Sequence, residues 1–135
     1  MADSRSGSKQ VLLAEDDSVV RNLIQRFLHS WGYRVLSAWN GREAMEFAEE
    51  HKCEIDLLIS DVTMPEMSGL ELAEKLKAKR PRLQVILLSG YSHKEFVLQR
   101  EWKFIRKPFR PQELKAAVED SLKPRSDVCF GALIS

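Results

Sequence analysis

"IDLLISDVTMPEMSGLEL", residues 55–72, decides the fold. Its first six residues read as a strand buried on both faces, the pattern of a parallel sheet covered by helices on each side. A bare carboxylate, Asp61, follows at once, with Pro65 in a turn behind it. A strand that ends on an acid has either reached water or holds that acid up for chemistry. The partners supplied by the rest of the chain decide between the two.

Further strands are expected at Val11–Ala14, Arg34–Ala38 and Leu83–Leu88, with a weaker one at Lys103–Ile105. Between the first two, Val20, Leu23, Ile24, Phe27, Leu28 and Trp31 recur at spacings of three and four, a helical stripe. Gly32 supplies the free φ that ends that helix. Asn40 with Glu43, Ser68 with Glu71, and Ser92 with Glu95 match capping boxes and mark three more helix starts. Pro111 opens a last helix carrying Leu114, Ala117, Val118 and Leu122. Strands alternating with helices imply βαβ units and an α/β, doubly wound parallel sheet of five strands. Ligands of such sheets sit beyond the carboxyl ends of the strands, so the chemistry should collect just after each one.

A chain of 135 residues suits one domain, with 44% apolar and 30% charged residues in the ordinary range. A net charge of +1, with no block of like charge, argues against nucleic-acid binding driven by bulk charge. Cys53 and Cys129 have no metal-type spacing and read as reduced thiols. The polar start is no signal peptide, and no apolar stretch approaches membrane-spanning length. The expectation is a cytoplasmic domain over 9–122, a polar tail over 1–8, and a second tail over 123–135.

The strand ends bring Glu15, Asp16 and Asp17, then Asp61, then Ser89 and Gly90, then Lys107 and Pro108. Gathered carboxylates repel one another unless a cation joins them. Hard divalent ions take oxygen ligands, and Mg²⁺ uses one or two carboxylates while keeping several waters. A lysine and a hydroxyl facing such a metal suit a phosphoryl group, since both donate to its oxygens. The constellation points to Mg²⁺-dependent phosphoryl transfer onto a carboxylate, with Mn²⁺ as a substitute ion. Plainer readings stand beside it. Asp17 reads better as the cap of the first helix, and Lys107, Ser89 and Phe104 taken singly would be a solvated lysine, a turn residue and a core ring. His29, His51 and His93 have no metal spacing, and Trp31, Trp39 and Trp102 read as packing.

"VLLAEDDSVVR", "LLISDVTMPEMSGLEL", "ILLSGYS" and "FIRKPF" resemble, in order and spacing, the four signature stretches of bacterial response-regulator receiver domains. The resemblance runs from about Lys9 to Leu122. It implies a flavodoxin-like (βα)5 fold with strand order 2-1-3-4-5 and a phosphoacceptor at Asp61, attacking a histidine kinase's phosphohistidine. By the same likeness Asp16 binds Mg²⁺ directly, Glu15 binds it through water, and the Thr63 backbone carbonyl adds a ligand. Ser89 and Lys107 bond phosphoryl oxygens, the Lys107–Pro108 bond is cis, Phe104 is the aromatic switch residue, and Thr63 and Tyr91 tune acyl-phosphate lifetime. The partners implied are a histidine kinase or histidine phosphotransfer protein and a downstream protein, with no direct nucleic acid and no membrane.

Only residues 90–106 separate Ser89 from Lys107, so the fourth of five helices, from about Ser92 to Gln99, is expected to be short. That compactness looks like receivers attached to hybrid sensor kinases. Arg110 stands where a shorter polar cap is commoner, which predicts a fraying start to the last helix. The alternative functions are a pseudo-receiver scaffold, which would usually have lost Asp61, the acidic pair or Lys107, and an aspartyl-phosphate hydrolase. The hydrolase usually needs an acid close behind its nucleophile, where this chain has Val62 and Thr63.

Overall fold

The computed structural model describes residues 9–50, 54–90 and 102–123. In chain order the elements are β1 (Gln10–Ala14), α1 (Ser18–Ser30), β2 (Arg34–Ala38), α2 (Gly41–Glu50), β3 (Leu57–Asp61), α3 (Gly69–Lys79), β4 (Gln84–Ser89), β5 (Lys103–Arg106) and α4 (Pro111–Ser121). All five strands are parallel, as their apolar runs predict, and stand in the order β2-β1-β3-β4-β5 that the receiver resemblance implies. The order reverses between β1 and β3, which places the switch point of the sheet there.

Alternate residues of each strand face opposite sides, and the core divides accordingly. Val11, Leu13, Leu57, Ile59, Ile86, Leu88 and Ile105 pack against Ile24 and Leu28 of α1 and Leu114 and Val118 of α4. Leu12, Leu58, Val85 and Leu87 pack against Ala44 and Ala48 of α2 and Leu72, Ala73 and Leu76 of α3. Each fully buried leucine or isoleucine contributes roughly 1.5–3 kcal/mol relative to exposure. Shortening one in the middle of β3, such as Leu58, costs about 2–5 kcal/mol.

The helix ends follow local chemistry. Asp17 caps α1 through its Oδ1, which accepts from the Val19 and Val20 N–H groups at 2.9 and 3.2 Å. Gly32, at φ +95°, turns the chain out of α1. Asn40 accepts from the Glu43 N–H at 2.7 Å, and the Glu43 carboxylate reaches back to the Trp39 N–H at 2.8 Å. Ser68 accepts from the Glu71 N–H at 3.1 Å. At the start of α4, Glu113 makes good the missing cap of Arg110, accepting the Arg110 N–H at 3.0 Å while the Arg110 carbonyl accepts the Glu113 N–H at 2.9 Å.

The short helix expected from Ser92, the box of Ser92 with Glu95, and Tyr91 all lie outside the described residues. So do the two cysteines, His51, His93 and both expected tails apart from Lys123. Among the described residues no helix is long and apolar enough to cross a membrane.

Candidate functional site

Register lines up the strand ends. Ala14 pairs with Ala38 on one side and Ser60 on the other, Asp61 pairs with Leu88, and Ser89 pairs with Arg106. The ladder then runs one step beyond the strands. The Glu15 N–H donates to the Ala38 carbonyl at 3.0 Å, Val62 to Leu88 at 2.8 Å, and Lys107 to Ser89 at 2.8 Å. Glu15 therefore stands level with Asp61, and Lys107 closes the row from β5. The alternation that sends Leu13, Ile59 and Ile105 to one side of the sheet sends Glu15, Asp61 and Lys107 the same way. Ser89 shares the opposite parity with Leu87 and Phe104.

These placements bring the charges together. Lys107 Nζ lies 3.3 Å from Glu15 Oε1 and 3.3 Å from Asp61 Oδ1. Glu15 is fully buried, and its other oxygen accepts the Asp17 N–H at 3.1 Å. Asp61 is 7% exposed, and the Thr63 N–H bonds its carboxylate. Asp16 is exposed at the rim, and one carboxylate oxygen from each of Glu15, Asp16 and Asp61 lies within 4.8 Å of the others.

Burial pushes the Glu15 carboxyl above its ordinary range, and the neighbouring Asp61 charge adds to that push. Burial also raises Asp61, against the opposing pull of Lys107. For Lys107 burial acts downward, but Glu15 and Asp61 outweigh it and hold the ammonium above its usual value. The site thus strains against its own negative charge, with two buried carboxylates sharing one lysine. An all-oxygen donor set with surplus negative charge is what a hard divalent cation requires, so the residues present fit Mg²⁺.

The backbone around Asp61 is tightly packed. Ser60 Oγ donates to the Asp61 carbonyl at 2.9 Å, and the Gly69 N–H donates to the Val62 carbonyl at 2.8 Å. A Cβ added at Gly69 would collide with the Asp61 carbonyl oxygen and come within 2.9 Å of Ser60 Oγ. Only glycine lets α3 begin so close behind β3.

The response regulator receiver domain profile matches residues 11–119. The chain belongs to that family. The receiver is 39% identical over 126 residues to sensor kinase CckA of Brucella abortus, covering 90% of this chain and 13% of the kinase. It is 33% identical to the response regulator receiver protein CpdR of the same organism, covering 84% of this chain and 97% of that one. Among solved structures, the response regulator TrrA of Thermotoga maritima in complex with Mg²⁺–BeF is similar at TM-score 0.75 and 34% identity, covering 84% of this chain and 99% of that one. The receiver thus spans a small part of one relative and nearly all of another.

Of the residues the sequence singled out, Glu15, Asp16, Asp61 and Lys107 form one cluster. Ser89 is buried at the end of β4, beside the Lys107 backbone. Thr63 is exposed in the loop behind Asp61. Phe104 packs with the α2–α3 side of the core. The Lys107–Pro108 bond is cis. Two contributors went unread in the sequence: Gly69, whose need shows only once α3 is seen to touch β3, and Arg21, one polar position of α1 among several, whose guanidinium donates to the Glu15 carbonyl at 2.8 Å.

Proposed function

We propose that the receiver accepts a phosphoryl group on Asp61 from a phosphohistidine of a histidine kinase or histidine phosphotransfer protein. The observation that carries this reading is the Lys107 ammonium, 3.3 Å from both Asp61 and buried Glu15. An Asp61 carboxylate oxygen attacks phosphorus, the new O–P bond forms, and the P–N bond of the donor breaks, its electron pair staying on the imidazole. Lys107 holds the nucleophile in place and neutralises charge that builds on the phosphoryl oxygens. The Ser89 hydroxyl donates to a second phosphoryl oxygen. Glu15, Asp16, Asp61 and the Thr63 carbonyl would hold Mg²⁺, which supplies charge neutralisation for the transferring group.

Phosphorylation adds charge and strong acceptors at the strand ends. Ser89, Lys107 and Phe104 then favour one of two preexisting conformations, and a downstream protein reads the difference. Residues 9–122 make up the working unit, acting in the cytoplasm as a signalling switch that catalyses only its own phosphorylation and dephosphorylation. Thr63 and Tyr91 set the lifetime of the acyl phosphate. The likeness to part of a sensor kinase supports a receiver of the hybrid-kinase kind, and the likeness to a whole receiver protein supports a free-standing one.

Beryllofluoride, a mimic of the bound phosphoryl group, tests this reading. With Mg²⁺ present, ¹⁹F NMR should show bound fluoride signals for the wild type and none for Asp61→Asn. Equal binding by both proteins would remove Asp61 from the reaction.

A further inference from the structure

Trp39 is 58% exposed at the end of β2, an unusual place for a large ring. It is held from two directions. Its backbone N–H donates to the Glu43 carboxylate, and the Arg21 guanidinium lies over its ring, 5.5 Å from the centroid. The same guanidinium donates through Nη1 to the Glu15 backbone carbonyl at 2.8 Å. The Glu15 N–H is already tied to Ala38, the residue before Trp39. Arg21 therefore closes a bracket from α1, across the Trp39 ring, onto the peptide joining Glu15 to Asp16.

We infer that Arg21, stacked on Trp39, is a positioning residue that orients the Glu15–Asp16 peptide so that both carboxylates face a divalent cation. The inference rests on the functional reading above for the identity of the cation site. A Glu15 carbonyl released from Arg21 loses the side-chain donor that fixes the direction of that peptide, and the exposed Asp16 side chain is carried on it. A planar guanidinium can stack and donate at once, which a lysine ammonium does less well.

The sign of the effect separates positioning from simple electrostatics. Arg21 is a cation close to a cation site, so removing its charge alone would tighten Mg²⁺ binding. Loss of positioning does the opposite.

The test is Mg²⁺ alone, titrated into the full chain and followed by amide NMR shifts, with the thermal midpoint of the metal-free protein measured alongside. Arg21→Ala should bind Mg²⁺ about tenfold more weakly, the lower end of what removing a ligand-orienting group costs. Trp39→Ala should weaken binding about two- to fivefold, as expected for a partly exposed cation–π contact, and Trp39→Phe should restore it. Unchanged or tighter binding by Arg21→Ala would overturn the inference, as would a lowered thermal midpoint with unchanged affinity, the mark of a merely structural bracket. A wild type that binds no Mg²⁺ at these residues also overturns it. Failure of the phosphoacceptor reading looks different: Mg²⁺ binds and responds to Arg21, yet no beryllofluoride adduct forms.

Discussion

Lys107 Nζ stands 3.3 Å from Asp61 Oδ1, and it reaches there from just beyond β5, the edge strand two places from β3. Lys107→Ala removes the cation shared by two buried carboxylates. Phosphoryl uptake by Asp61 should fall by at least tenfold, the scale expected when a charge-stabilising donor is lost. Uptake from acetyl phosphate, followed by intact mass against time, checks this, and a near-normal rate would remove Lys107 from the reaction.

The raised carboxyls carry a pH dependence. Asp61 and Glu15 sit above their ordinary values of 3.8 and 4.5, mainly through burial. A carboxyl with a raised folded value binds protons more tightly in the folded state. Its contribution therefore turns unfavourable as pH rises from about the ordinary value through the folded one. Without metal, Asp61→Asn should be more stable than wild type at pH 7, and the gap should close as pH falls toward 4. Urea midpoints across that range would show it. Mg²⁺ should stabilise the wild type and leave Asp61→Asn less affected.

Gly69→Ala puts a Cβ against the Asp61 carbonyl oxygen. Backbone cannot yield as a side-chain tip does, so α3 or the end of β3 must move. A loss of roughly 1–3 kcal/mol follows from overpacking, with a displaced Asp61 and slower phosphoryl uptake. A variant with wild-type stability and uptake would contradict the tight placement of α3.

Glu66 adopts φ 69°, between Pro65 and Met67, whose N–H donates to the Pro65 carbonyl at 2.7 Å. Left-handed backbone costs an ordinary residue about 1–2 kcal/mol that glycine avoids. Glu66→Gly should therefore raise the urea midpoint, and Glu66→Val should lower it. Both changing in the same direction would mean the turn does not govern this position.

Asp17 is separated from its acidic neighbours by role. Asp17→Ala should cost about 1 kcal/mol through the lost α1 cap, while Mg²⁺ affinity stays within twofold of wild type. A large loss of Mg²⁺ affinity would place Asp17 among the ligands.

Much of this was legible because β3 and β4 are apolar through their middles and their carboxyl ends carry the chemistry. The strand limits were less so. The run from Ile55 reads as strand, but β3 begins at Leu57. Asp56 still joins its neighbours, its N–H donating to the Gln10 carbonyl at 2.9 Å and its carbonyl accepting from the Gln84 N–H at 3.2 Å. Its carboxylate takes the Gln10 N–H at 2.9 Å in place of a further backbone carbonyl. The ladder instead takes in Asp61, because pairing is a property of neighbouring strands and not of one segment. The shared parity of Glu15, Asp61 and Lys107 depends on that register and could not be read from spacing. Arg110 looked like a poor cap, and Glu113 compensates from the next turn. Arg21 and Gly69 matter only through contacts between elements distant in sequence, where a local pattern has no signal.

The most direct measurement is intact mass after incubation with acetyl phosphate, for wild type and Asp61→Asn, each with Mg²⁺ and with chelator. The account predicts one added phosphoryl group on the wild type with Mg²⁺ and none in the other three samples. An adduct that persists in Asp61→Asn or in chelator would contradict it.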